Sequence, residues 1–139
     1  MNLVFFGTPD FAVPTLVALN NSSHEVLRVV TTPDKRSGRG LKPCASSIKK
    51  KAEMLNIPIL EPNNLNDSSF ISELENIKPD IYVVVAFKIL PETLLMIPKT
   101  GAVNLHASLL PKYRGAAPVN HAILNSEPNT GVTTFIIQN

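Results

Sequence analysis

The sequence predicts an α/β fold, a doubly wound, mainly parallel sheet with helices on both faces. Three observations carry that prediction. Apolar runs of strand length, NLVFF at 2–6 and IYVVVA at 81–86, have no polar alternation, as a strand covered on both faces requires. Segments with apolar residues at helical spacing lie between the strand-like runs, so the two element types alternate along the chain. The 12 prolines fall mostly between these segments, where they separate elements without breaking them.

A chain of 139 residues is the size of one domain with a real core. A hydrophobic content of 44% beside a net charge of +2 excludes the disordered class. No window approaches the roughly 18 uninterrupted apolar residues of a membrane span, so no membrane association is expected. Residues 1–6 lead straight into a strand with no signal peptide, and the single Cys44 suits a reducing compartment, so a cytoplasmic location is expected. Cys44 itself reads as a small side chain near a helix start. No Cys, His or carboxylate cluster has metal-ligand spacing, and no metal is expected.

In chain order, residues 2–6 form a buried central strand, and Gly7-Thr8-Pro9-Asp10 turns into a helix at about 11–19, with Pro14 tolerated near its first turn. The Gly-x-Gly-x-x-Gly fingerprint is absent from this turn, so a nicotinamide or flavin site has no support. The β-branched run 25–32 gives a second strand that stops at Pro33. A helix over 46–55 has Ser46 or Ser47 as cap and Ile48, Ala52 and Leu55 as its apolar stripe. Residues 57–60 make a short strand interrupted by Pro58, and 67–77 an amphipathic helix capped by Asp67. The strand at 81–86 is central by its unbroken apolar character. A short helix at 91–96, a strand at 101–105, a helix at 118–124 and a strand at 132–137 complete the series.

Two stretches stand apart from this packing pattern. The first is 101–118, GAVNLHASLLPKYRGAAP. Asn104, His106 and Ser108 recur at i, i+2 and i+4, which puts them on one face of an extended backbone. An amide can hydrogen-bond a carbonyl oxygen as charge develops on it, and an imidazole can exchange a proton near neutral pH, the two needs of acyl-type transfer. His24 and His121 have no such surroundings and read as surface residues. The second stretch is 34–43, DKRSGRGLKP, which shows neither helical nor strand periodicity. Extended to residue 51, it holds more than half of the chain's 13 basic residues against Asp34 alone. The ordinary reading of such a run is solvated surface. A glycine-containing basic loop is also suited to tracking a phosphate backbone.

The run N-L-H-A-S-L-L-P-K-Y-R-G-A-A-P resembles the signature of the 10-formyltetrahydrofolate-dependent formyltransferases, N-x-H-x-S-L-L-P followed by R-G-A-x-P. GTPDF at 7–11 is similar to the family's first turn, and P-D-K-x-x-G-R-G at 33–40 resembles the inserted loop of its methionyl-tRNA formyltransferase branch. The resemblance covers the whole chain. It implies a Rossmann-like fold and transfer of a formyl group from 10-formyltetrahydrofolate to the amine of initiator Met-tRNA, in translation initiation. Asn104 and His106 are then the catalytic pair. Ser108, Leu109, Leu110, Pro111 and Phe87 belong to the folate pocket, although A-F-K at 86–88 stands where the family commonly has an A-Y-G-type turn. Lys35, Arg36, Arg39 and Lys42 meet the tRNA acceptor arm. A monomer is the expected state.

The family pairs its histidine with an Asp in a G-x-D-x-G turn just after the last strand read here, and no Asp of this sequence sits there. The expectation is therefore an incomplete N-terminal part of the catalytic domain, without the family's C-terminal β-barrel and with little activity alone. A sugar-nucleotide amine formyltransferase, or a folate- or RNA-binding module without catalysis, are the alternatives.

Overall fold

The computed structural model describes residues 1–37 and 42–138. Its main sheet has six strands in the order β5-β2-β1-β6-β7-β8 among the described residues. The strands are β1 (Asn2–Gly7), β2 (Glu25–Val30), β5 (Ile59–Leu60), β6 (Ile81–Val85), β7 (Ala102–His106) and β8 (Thr133–Ile136). All pairings are parallel except the last, where β8 runs antiparallel to β7. The chain lays down β1, β2 and β5 in one direction, then returns to place β6 on the other flank of β1. The order reverses between β1 and β6, and sheets of this kind open a ligand crevice beyond the carboxyl ends of the strands at that point.

Side-chain alternation sorts the core into two layers. Leu3, Phe5, Val29 and Val85 face one side, where they meet α1 (Val13–Asn20) through Leu16 and α2 (Ser47–Met54) through Ile48 and Ala52. Val4, Phe6, Val30, Tyr82 and Val84 face the other, against Phe70 and Leu74 of α3 (Ser68–Ile77) and Leu94 of α4 (Glu92–Leu95). Fully burying one such Leu, Val or Phe side chain stabilises the fold by about 1.5–3 kcal/mol, so strands apolar on both faces are the ones placed at the centre. Asp67 accepts from the backbone N–H groups of Ser69 and Phe70 and caps α3, and Ser46 accepts from Lys49 N–H and caps α2, as predicted. The predicted helix at 11–19 begins instead with a 3₁₀ turn, Asp10–Ala12, because Pro14 supplies no N–H for the first α-helical turn. Gly7 is required where β1 turns. A Cβ there would lie 2.8 Å from Phe5 Cε1 and 3.1 Å from the Val85 carbonyl oxygen.

The stretch read as aperiodic after β2 differs from expectation. It forms a hairpin, β3 (Lys35–Ser37) antiparallel to β4 (Lys42–Cys44), with Arg36 opposite Pro43. Strands of three residues are too short for a two-residue period to register, and their pairing rests on the backbone ladder. Arg39 lies outside the described residues. No helix among the described residues is long and apolar enough to cross a membrane.

Candidate active site

A cavity of about 840 Å³ opens at the carboxyl ends of β6 and β7. Its floor is Val84 of β6 and Asn104 and His106 of β7, all on the same face of adjacent strands. The turn after β6 supplies Ala86, Phe87 and Ile89, and the approach to α5 (Pro118–Leu124) supplies Gly115 to Val119. Phe11, from the turn after β1, and Phe135 of β8 close the sides. The size and largely apolar wall suit a drug-sized organic ligand, with Asn104 and His106 as fixed polar groups.

Of the residues singled out from the sequence, Asn104, His106 and Phe87 line this cavity together. Phe87 also packs edge-on against Phe6, at 5.6 Å between ring centroids. Ser108 is a correction to the expected shared face. β7 ends at His106, the two-residue alternation stops with it, and Ser108 turns into the protein instead. Its hydroxyl donates to the Lys112 carbonyl at 2.6 Å. Its own carbonyl accepts from the Thr133 hydroxyl at 2.7 Å, and that hydroxyl in turn accepts from Leu110 N–H at 3.1 Å. Leu109 and Pro111 are exposed, and with Ser108 and Leu110 they form the loop beside the cavity, outside its lining. Lys35, Arg36 and Lys42 belong to the separate β3–β4 hairpin.

The imidazole of His106 is oriented by backbone. Nε2 lies 2.8 Å from the carbonyl oxygen of Tyr113. A carbonyl can only accept, so Nε2 carries the proton and Nδ1 is the acceptor of the neutral ring. Tyr113 holds that carbonyl in place from a left-handed conformation, φ 55°, which costs a bulky residue on the order of 1–3 kcal/mol and persists only when its surroundings enforce it. They do so at the side chain. The Tyr113 ring stacks on His121, and its hydroxyl donates to Glu127 Oε1 at 2.7 Å. Lys112 Nζ donates to both oxygens of the same carboxylate, at 3.0 and 3.2 Å. The Tyr113 hydroxyl, with Lys112 beside it, holds the Glu127 carboxyl below its ordinary range, and Glu127 pushes the Tyr113 hydroxyl up.

Sequence reasoning missed Tyr113, Glu127 and Thr133. The one available signal was charge: Glu127 is the only acidic residue beyond Glu92, in a segment where nothing else calls for one. At the base of the hairpin, Lys49 bridges Asp34 at 2.8 Å and Glu61 at 2.9 Å, and these two carboxylates hold its ammonium well above the usual lysine range. No group of three or more His, Cys, Asp and Glu among the described residues is placed to hold a metal ion.

The chain is 52% identical over 136 residues to the methionyl-tRNA formyltransferase of Alkaliphilus oremlandii, covering 97% of this chain and 44% of that protein. It is equally similar to the methionyl-tRNA formyltransferase of Porphyromonas gingivalis, 52% over 135 residues, covering 97% of this chain and 42% of that protein. It thus spans less than half the length of these curated relatives. Among solved structures, the phosphoribosylglycinamide formyltransferase of Bacillus halodurans superposes with a TM-score of 0.75 at 20% identity, covering all of this chain and 73% of that one, a likeness of fold. The family model described as formyl transferase matches residues 1–139, and the chain belongs to that family.

Proposed function

We propose that the protein transfers a formyl group from 10-formyltetrahydrofolate to the amino group of methionyl-initiator-tRNA. The observation that carries this reading is the pairing of Asn104 and His106 on one cavity wall, in a chain 52% identical to two proteins named for that reaction. The cavity fits a folate co-substrate in volume and in its aromatic and aliphatic lining, with Phe87 against the ring system and residues 108–111 in the loop beside it. The Asn104 carboxamide donates a hydrogen bond to the formyl oxygen as negative charge gathers there, an interaction stronger in the transition state than before it. Nδ1 of His106 takes the proton that the attacking amine must shed, with the other ring nitrogen already committed to Tyr113.

The basic hairpin supports the choice of acceptor. β2, β1, β6 and β7 all run parallel, so the hairpin after β2 and the cavity after β7 lie at the same carboxyl end of the sheet. An extended polyanion lying across that end would meet Lys35, Arg36, Arg39 and Lys42 while its acylated end reaches His106. We read residues 1–139 as the N-terminal part of the catalytic domain of a monomeric, cytoplasmic enzyme. The test is formyl transfer by the intact protein to Met-tRNA and to a sugar-nucleotide amine, with folate binding measured in parallel. Preference for the sugar, or binding without turnover, would overturn the proposal.

A further inference from the structure

We propose that Glu127 is a positioning residue for His106, acting through Tyr113 to fix which imidazole nitrogen faces the reacting amine. This rests on the reading of His106 as the proton acceptor. The chain of contacts is continuous: Glu127 Oε1 accepts from the Tyr113 hydroxyl at 2.7 Å, and the Tyr113 carbonyl accepts from His106 Nε2 at 2.8 Å. The link between the two bonds is the Tyr113 backbone. Its left-handed φ of 55° is the strained alternative for a residue with a Cβ, and relaxation to an extended conformation would swing the carbonyl away from Nε2. The side chain is therefore the handle that keeps the peptide in place, gripped by His121 on its face and Glu127 at its tip. Lys112 keeps the carboxylate ionised and aimed, and the Glu127 side chain is only 21% exposed. Without the grip, the carbonyl is free to leave, the proton can move to Nδ1, and the nitrogen needed as acceptor becomes a donor.

The readout that a merely structural turn would not move is the tautomer of His106, taken from ¹⁵N shifts of the neutral imidazole in the intact protein without substrate. Wild type should show a single form protonated at Nε2. Glu127→Leu and Tyr113→Phe should each give a mixture of tautomers, and Glu127→Gln, whose amide oxygen still accepts from the tyrosine, should restore the single form. In formyl transfer, kcat of the first two variants should fall roughly 10- to 100-fold, the scale of a misplaced reacting group, with KM for folate unchanged. Tyr113→Phe keeps the ring and its stacking, so it remains informative if Glu127→Leu does not fold. A single Nε2-protonated form in both variants would overturn the inference and leave Glu127 as a pin for the turn. Because the tautomer is read without turnover, a protein that shows the shift but transfers no formyl group keeps this inference and loses the proposed function.

Discussion

The loop after β7 and the hairpin after β2 both leave the carboxyl end of one sheet, and different contacts hold them. The loop is tied along its length: Ser108 to Lys112, Leu110 and Ser108 to Thr133, and Tyr113 to both His106 and Glu127. At the base of the hairpin, Lys49 joins Asp34 to Glu61 and Thr31 meets Ser46 at 2.8 Å. The proposed function makes different demands on the two. Proton transfer and oxyanion stabilisation need atoms fixed to within a fraction of an ångström. A contact with a large polyanion needs charge and reach, and most of its attraction does not depend on fine geometry.

The largest expected effect is at the floor of the cavity. Asn104→Ala or His106→Ala in the intact enzyme should lower kcat by about 10²–10³, the usual loss for one preorganised donor or proton-transfer group, with the fold retained by circular dichroism. Near-normal turnover in His106→Ala would reduce the motif to scaffold and erase the contrast between the two regions.

Next in size is the tie that Thr133 makes. Thr133→Val keeps the shape but removes the partner of the Leu110 N–H and of the carbonyl of buried Ser108. The expected loss is about 1–3 kcal/mol in denaturant unfolding, together with reduced formyl transfer. Lys49→Met, which unties the hairpin, should lower the unfolding midpoint less than Thr133→Val, since the three part-exposed groups of its ion pairs keep contact with water. Equal midpoints for the two variants would mean that the loop is no better anchored than the hairpin.

The same contrast explains what was legible in the sequence. Strands such as 2–6 and 81–86 announce themselves because burial on both faces leaves a composition no loop shares. Asn104 and His106 were legible because they sit inside a regular strand, where alternation sends them to one side. Ser108, two residues further, was misplaced because alternation ends with the strand and nothing in its neighbours marks that end. Tyr113 acts through a carbonyl, which every residue possesses, so its identity could not reveal the role. Glu127 meets Tyr113 across 14 positions, a proximity that exists only after α5 has folded back. The hairpin was hidden for another reason: strands of three residues carry too little pattern.

A smaller effect is expected at the hairpin charges. An Arg36→Ala/Arg39→Ala double variant should raise KM for Met-tRNA several-fold while folate affinity stays put. If both arginines meet phosphate, the slope of log KM against log salt should become shallower by about two. Arg39→Lys alone tests for a planar, two-pronged contact, which lysine cannot reproduce. Unchanged use of tRNA by the double variant would make the hairpin ordinary solvated surface and bring the sugar-directed alternative forward.

The smallest effect separates the two regions by pH. Glu127 has a folded-state pKa below its ordinary value, chiefly through the Tyr113 hydroxyl and then Lys112. Its hold on the loop is complete above the ordinary carboxylate value of about 4.3 and is lost as pH falls through the lowered one. Lys49 is shifted the other way, by Asp34 and then Glu61. Its hold on the hairpin is complete below the ordinary lysine value of about 10.4 and is lost as pH rises through the raised one. The upward shift of Tyr113 means its hydroxyl keeps donating to Glu127 past the ordinary tyrosine range, so alkali spares the loop contact longer than an unpaired phenol would allow. Amide shifts followed by NMR should therefore hold around Glu127 until pH falls well below the ordinary carboxylate value, and around Lys49 until pH rises well above the ordinary lysine value. A change around Glu127 already at the ordinary carboxylate value, or around Lys49 already at the ordinary lysine value, would show that these contacts do not hold the two regions.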